Sequence, residues 1–182
     1  MTQRAFILLL TALLAPKLAA AQTSEHSATD ERANRSRRLV MRLAILAGYR
    51  SLYDLSTIAP GAEASLGVEG EWAGGFLNIY GLHGSTFAGL PVTQLGITGT
   101  FEAHFGGIRF GAGGGLTNFY IVRATTGQTL SSTGLENVFR LGYDFFENGP
   151  YVLSQFSFAI YNGGPDAAVV IGPTLYVGLR FR

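Results

Sequence analysis

The sequence contains no cysteine, so no disulfide braces the fold and no thiol chemistry is available. Lysine is almost absent: Lys17 is the only one. Charged residues of both signs make up 14% of the chain, against roughly 25% in ordinary soluble proteins. A formal net charge of +1 gives no pull towards nucleic acid. No run of apolar residues reaches the roughly 18 needed for a spanning helix. The nearest, "AFILLLTALLA", stops at Pro16 and Lys17. With Arg4 before it and "LAAAQ" after it, this reads as a secretory signal peptide over residues 1–21, cut after Ala21.

Apolar character is nevertheless high. Mean hydropathy is +0.25 and 47% of residues are hydrophobic. Glycine, at 25 residues, far exceeds its roughly 7% average share. An exported, greasy chain without spanning helices must place its apolar surface by some other geometry. Residues 22–38 are polar and aperiodic and read as a mobile tail, whose Arg32, Arg35, Arg37 and Arg38 form a basic cluster.

From Leu39 the chain alternates. "LVMRLAILAGYR" sets Leu39, Met41, Leu43, Ile45 and Tyr49 opposite Arg42 and Arg50. Seven further segments follow, starting near Ala62, Gly75, Gln94, Gly107, Leu135, Pro150 and Val169. All show the period of two except the third, "GFLNIYGLH", whose phase the pattern leaves open. "WAGG", "GG" and "ENGP" read as tight turns. "SLYDLSTIAP", "HGSTFAGLP", "FYIVRATTGQTLSST" and "YNGGPDA" read as longer loops, all on the opposite side. Phe119 to Thr133 would be the longest and the first choice for a contact surface.

Every charge placed in a strand falls on the polar face: Arg42, Arg50, Glu63, Glu69, Glu71, Glu102, Arg109, Glu136, Arg140, Asp144, Arg180 and Arg182. A basic side chain turned to mid-bilayer lipid costs about 2–4 kcal/mol in a membrane barrel, so a charge-free face is the one lipid requires. The pattern predicts an all-β fold: an eight-stranded antiparallel up-and-down transmembrane β-barrel over residues 39–182. Its interior would hold an ion-pair network of Arg42, Arg50, Glu63, Glu69, Glu71, Glu102, His104, Arg109, Arg140, Asp144 and Arg180. Since eight strands leave room only for side chains, the interior is expected to be plugged. A register in which residue i faces 113 − i would set Arg50 against Glu63 and Arg42 against Glu71. Trp72, Phe105, Tyr143, Phe145 and Phe181 would girdle one membrane interface, and Tyr49 the other, together with Tyr53, Tyr120 and Phe158.

These strands, with short turns on one side and longer loops on the other, resemble the small eight-stranded outer-membrane barrels of the OmpA/OmpX type. The last strand, ending Leu179–Arg180–Phe181–Arg182, resembles the terminal signal by which such proteins engage the barrel-assembly machinery, although there the aromatic is usually last. The resemblance implies the outer membrane of a Gram-negative-type cell, and outer-membrane lipid and lipopolysaccharide as surroundings. It also implies a structural or surface-interaction role for the loops.

Chemistry has little footing. His83 and Ser85, in "HGS", are similar to a His-x-Ser pair of lipid A deacylases, but the nearest downstream carboxylate, Glu102, lies a strand away. His26, His83 and His104 are too scattered for a metal site, and "GAGGG" lacks the strand–turn–helix setting of a phosphate loop. No cofactor, metal or nucleic-acid partner is expected. Two alternatives to a non-enzymatic barrel are a lipid A-modifying enzyme and a soluble, calycin-like carrier of apolar ligands.

Overall fold

A computed structural model describes residues 37–52, 55–122, 126–161 and 168–182. The expected signal peptide and nearly all of the expected tail lie outside them. The described chain forms β1 (Arg38–Leu52), β2 (Leu55–Glu69), β3 (Ala73–Thr86), β4 (Pro91–Phe105), β5 (Ile108–Val122), β6 (Thr129–Asp144), β7 (Gly149–Tyr161) and β8 (Ala168–Phe181). Each pairs with its sequence neighbour, and β1 pairs with β8, giving a closed eight-stranded antiparallel barrel. Closure satisfies both edges of the sheet, the condition for strands to cross hydrocarbon.

The alternation is inside out relative to a soluble protein. Leu39, Leu43, Ile45, Phe101, Leu135, Phe139 and Leu175 are exposed, whereas Arg42, Glu63, Glu69, Glu102, Arg109, Glu136, Arg140 and Arg180 are buried. Among the described strand residues no charged side chain is on the outward face, and Asn137 and Ser154 are the polar interruptions of its apolar band. The third strand takes the phase that turns Phe76, Asn78, Tyr80 and Leu82 inward.

Two expectations need correction. The β1–β2 register is residue i against 107 − i, so Arg42 faces Ser65 and Arg50 faces Thr57. The reason is that most of "SLYDLSTIAP" is strand: β1 runs to Leu52 and β2 starts at Leu55. The same holds elsewhere. Phe119–Val122 and Thr129–Thr133 pair in β5 and β6, leaving only residues 123–128 between the strands. The strands, 13–16 residues long, exceed the roughly 9–11 that cross a bilayer. Polar residues beyond the apolar band read as loop in the sequence, but their backbones stay in the ladder.

The lower end, as oriented here, carries the three short connections. Gly106, at φ 58°, takes a left-handed turn conformation between β4 and β5. Gly70 N–H donates to Ala73 O at 2.8 Å in the β2–β3 turn. At the upper end, β3 and β4 are joined through Phe87–Leu90, where Thr86 N–H donates to Leu90 O at 2.9 Å.

Glycine has a packing role in the wall. Phe76, Tyr80, Tyr151 and Tyr161 point inward, and their cross-strand partners are Gly67, Gly96, Gly178 and Gly134. A Cβ at Gly96 would lie 2.4 Å from the Tyr80 ring, and one at Gly67 2.3 Å from the Phe76 ring. A narrow barrel admits such rings only where the neighbouring strand gives up its side chain.

Candidate functional site: the charged interior

The lower interior is an ion-pair cluster. Glu69 on β2 accepts from Arg109 Nη1 on β5 at 2.6 Å and from Arg182 Nη2 at 2.9 Å. Arg180 on β8 also donates to Glu69, and Arg109 and Arg180 both donate to Asp144 on β6. His104 lies at the edge, its Nδ1 3.6 Å from Glu69. Across the Gly106–Gly107 turn, Arg109 faces His104.

One level up, Arg42 donates to Glu102 at 2.7 Å, and its guanidinium lies 3.7 Å over the Phe76 ring. Arg140 donates to Glu63 at 2.6 Å, Gln155 at 2.7 Å and the Asn78 side-chain Oδ1 at 3.0 Å. These partners come from β2, β7 and β3, and Arg140 itself from β6. The network therefore ties opposite walls together. Ion pairing and hydrogen bonding offset the burial of these charges, although Arg42 Nε and Nη2, Glu102 Oε1, Asp144 Oδ1 and Arg180 Nε make no hydrogen bond among the described residues.

The upper interior differs. Arg50 donates to Gln94 at 2.8 Å and Thr174 at 2.8 Å, and to the Tyr49 carbonyl at 2.9 Å. Glu136 accepts from the Tyr80 hydroxyl. Among the described residues no carboxylate stands within 4.0 Å of Arg50, and no cation within that distance of Glu136. Above them Val92, Phe119, Ala159, Tyr161 and Val170 pack into an apolar cap.

Arg50 has a further task. The β1–β8 ladder is interrupted between Gly48–Thr174 and Ser51–Ile171, opposite Pro173, which has no N–H to give. The Arg50 guanidinium reaches that gap and satisfies the Tyr49 carbonyl there.

Of the expected interior residues, Arg42, Glu63, Glu69, Glu102, His104, Arg109, Arg140, Asp144 and Arg180 sit together in the lower two levels. Arg50 stands apart, bonded to neutral groups. Glu71 is exposed in the β2–β3 turn and joins no ion pair among the described residues, because the chain has left the strand at Glu69. Arg50–Glu63 and Arg42–Glu71 do not form, a consequence of the register. Tyr80, Tyr151, Tyr161 and Tyr176 were not anticipated inside. Their parity with Asn78, Gln155 and Arg180 along their strands is the available signal in the sequence.

The aromatics group at the lower rim. Trp72 and Phe105 have ring centroids 6.0 Å apart, Phe105 stacks on Phe110 at 5.7 Å, and Tyr143 meets Phe145 edge-on at 5.3 Å. Phe181 is exposed on the outward face. Near the upper end Tyr49 is outward, its hydroxyl 3.0 Å from Ser56 Oγ. Tyr53 lies outside the described residues. His83 and Ser85 are exposed on the outer wall, and the His83 Nδ1 is 2.8 Å from Thr93 Oγ1. Neither residue borders the buried charges.

The fold is shared with small bacterial surface barrels. The chain is similar to Neisserial surface protein A, at 11% identity and TM-score 0.56, over 79% of this chain and 97% of that one. It is similar to Ail, the attachment invasion locus protein of Yersinia pestis, at 10% identity and TM-score 0.58, over 80% and 99%. The N-terminal barrel domain of Pseudomonas aeruginosa OprF matches at 16% identity and TM-score 0.51, over 77% and 97%. Ail is also known in complex with the heparin analogue sucrose octasulfate. No protein-family model matches the chain. No curated protein matches it in sequence.

Proposed function

We propose that this chain is a sealed, non-enzymatic barrel of the outer membrane, with a structural or surface-interaction role carried by its upper end. The observation that carries this reading is the inversion itself: a charge-free apolar exterior around an ion-paired interior. Such an exterior suits lipid, and such an interior leaves no room for the apolar cargo of a soluble carrier. In this reading residues 1–21 direct export, residues 22–37 form a periplasmic tail that ends where β1 begins at Arg38, and the short turns face the periplasm. The β8 strand would be the element presented to the barrel-assembly machinery, and outer-leaflet lipopolysaccharide would surround the upper rim.

The upper end offers little basic charge for a polyanion such as the heparin analogue bound by Ail. In sequence, the segments joining the strands at the upper end contain one basic residue, Arg123, and two acidic ones, Asp54 and Asp166. Catalysis by His83 and Ser85 also lacks support, since the imidazole nitrogen faces Thr93 and no carboxylate shares that outer wall among the described residues.

Heat-dependent gel mobility of protein from washed outer membranes, combined with single-channel recording in planar bilayers, tests the reading. Recovery in the membrane, a mobility shift on boiling and no steady conductance are expected. A soluble protein without a shift, or a steady open channel, would overturn it. Ser85→Ala should leave the acyl pattern of lipid A unchanged.

A further inference from the structure

In the upper interior Arg50 Nη2, Gln155 Nε2 and Glu136 Oε1 are buried and make no hydrogen bond among the described residues. The three residues are 3%, 1% and 1% exposed, so open solvent does not reach them. The first two atoms are donors and the third is an acceptor. Their orientation is held from the other side. Arg140 Nε donates to the Gln155 oxygen at 2.7 Å, which leaves the amide nitrogen as the free end. The Tyr80 hydroxyl holds the second oxygen of Glu136.

Register brings the three together. Gln155 faces Thr174 across β7–β8, and Arg50 Nη1 donates to the Thr174 hydroxyl at 2.8 Å. The free ends of Arg50 and Gln155 therefore flank one residue of β8. Glu136 reaches in from β6, where it faces Ala159 on β7. Ser157 lies between Ala159 and Gln155 on the same inner face. Ser157 and Arg50 are both among the groups acting on the Glu136 carboxylate. Even so, Arg50 and Glu136 make no ion-pair contact with each other.

We propose that one water molecule is built into this point of the barrel, accepting from Arg50 Nη2 and Gln155 Nε2 and donating to Glu136 Oε1. Water held inside a protein makes about three hydrogen bonds, and these atoms supply them with the right polarity. Two hydrogen bonds of about 2.8 Å through one oxygen span roughly 4.5 Å, farther than a direct ion pair reaches. An ion fits less well. A halide would satisfy the two donors but meet the carboxylate, and a cation would meet the guanidinium. Below, Arg42, Arg109, Arg140 and Arg180 already have carboxylates of their own. Arg50 and Glu136 are left as each other's counter-charge, and a neutral bridge keeps that balance. The water makes them a solvent-separated pair tying β1 to β6 and β7, where the lower half uses direct contacts. This inference needs the closed barrel and does not depend on its membrane placement.

Crystals of the full, folded chain grown in sodium bromide, with diffraction recorded at the bromine absorption edge, test the site. One oxygen-sized peak is expected about 2.7–3.2 Å from each of the three atoms, without anomalous signal. An anomalous bromide peak beside Arg50 Nη2 would overturn the proposal. So would a direct Arg50–Glu136 contact, or a map with no peak between the three atoms. In Glu136→Leu, confirmed as folded by its heat-shifted mobility, the peak should be lost, since leucine cannot accept the water's hydrogen bond. A peak retained there would overturn the part assigned to the carboxylate. Should that variant fail to fold, the wild-type map decides alone.

Discussion

The lower and upper halves of the interior solve the same problem differently. Below, Glu69 is shared by Arg109, Arg180 and Arg182, and Asp144 by Arg109 and Arg180. Above, Arg50 and Glu136 are buried with only neutral partners at ion-pair distance. The lower charges depend on one another across the lumen. The upper ones are each accommodated by a local set of hydroxyls and amides. Loss of one charge should therefore propagate in the first case and stay local in the second.

The seam between β1 and β8 sharpens this difference. Arg42 and Arg180 are direct cross-strand neighbours on the inner face, a like-charge pair that would by itself resist closure. Glu102, from β4, pairs with Arg42, and Glu69 and Asp144, from β2 and β6, with Arg180. At its lower end the barrel is closed through its lumen as well as along its edges.

The largest effect is expected from Glu69→Gln. It leaves Arg109 and Arg180 to share Asp144, while Arg182 keeps only Glu147, and breaking a buried pair in this way costs about 3–5 kcal/mol. Urea unfolding in lipid vesicles measures it. Arg140→Met follows, at roughly 3 kcal/mol, because Glu63 would be buried with only the Ser65 hydroxyl beside it. Arg50→Met should cost about 1–3 kcal/mol through the unsatisfied backbone at Pro173, with faster amide exchange confined to the upper seam. Glu136→Gln should cost under about 1 kcal/mol, because an amide oxygen still accepts from Tyr80 and no arginine loses an ion-pair partner. Arg182→Gln should also be small, since Glu69 retains Arg109 and Arg180 and the Arg182 side chain is 15% exposed.

Much of this architecture was legible in the sequence. Alternation with charges confined to one phase, as in Arg42 against Leu43 or Arg140 against Leu141, specifies both strand and face. Connections were less legible. Ser51–Pro60 reads as loop because serine, threonine and proline mark turns in water, yet most of the segment is strand, paired beyond the apolar band. That misreading displaced the β1–β2 register by six residues and with it the expected pairs. Phe76 and the inward tyrosines were hidden for another reason. Their place is fixed by glycines on adjacent strands, Gly96 for Tyr80 and Gly178 for Tyr151, and that correspondence appears only once register is known.

The most direct test of the account compares Glu69→Gln with Glu136→Gln, one carboxylate from each half, by equilibrium unfolding in the same vesicles. The account predicts a loss of several kcal/mol for Glu69→Gln and less than about 1 kcal/mol for Glu136→Gln. Equal losses, or a larger one at Glu136, would contradict the claim that the lower interior is held by mutually dependent ion pairs and the upper interior is not.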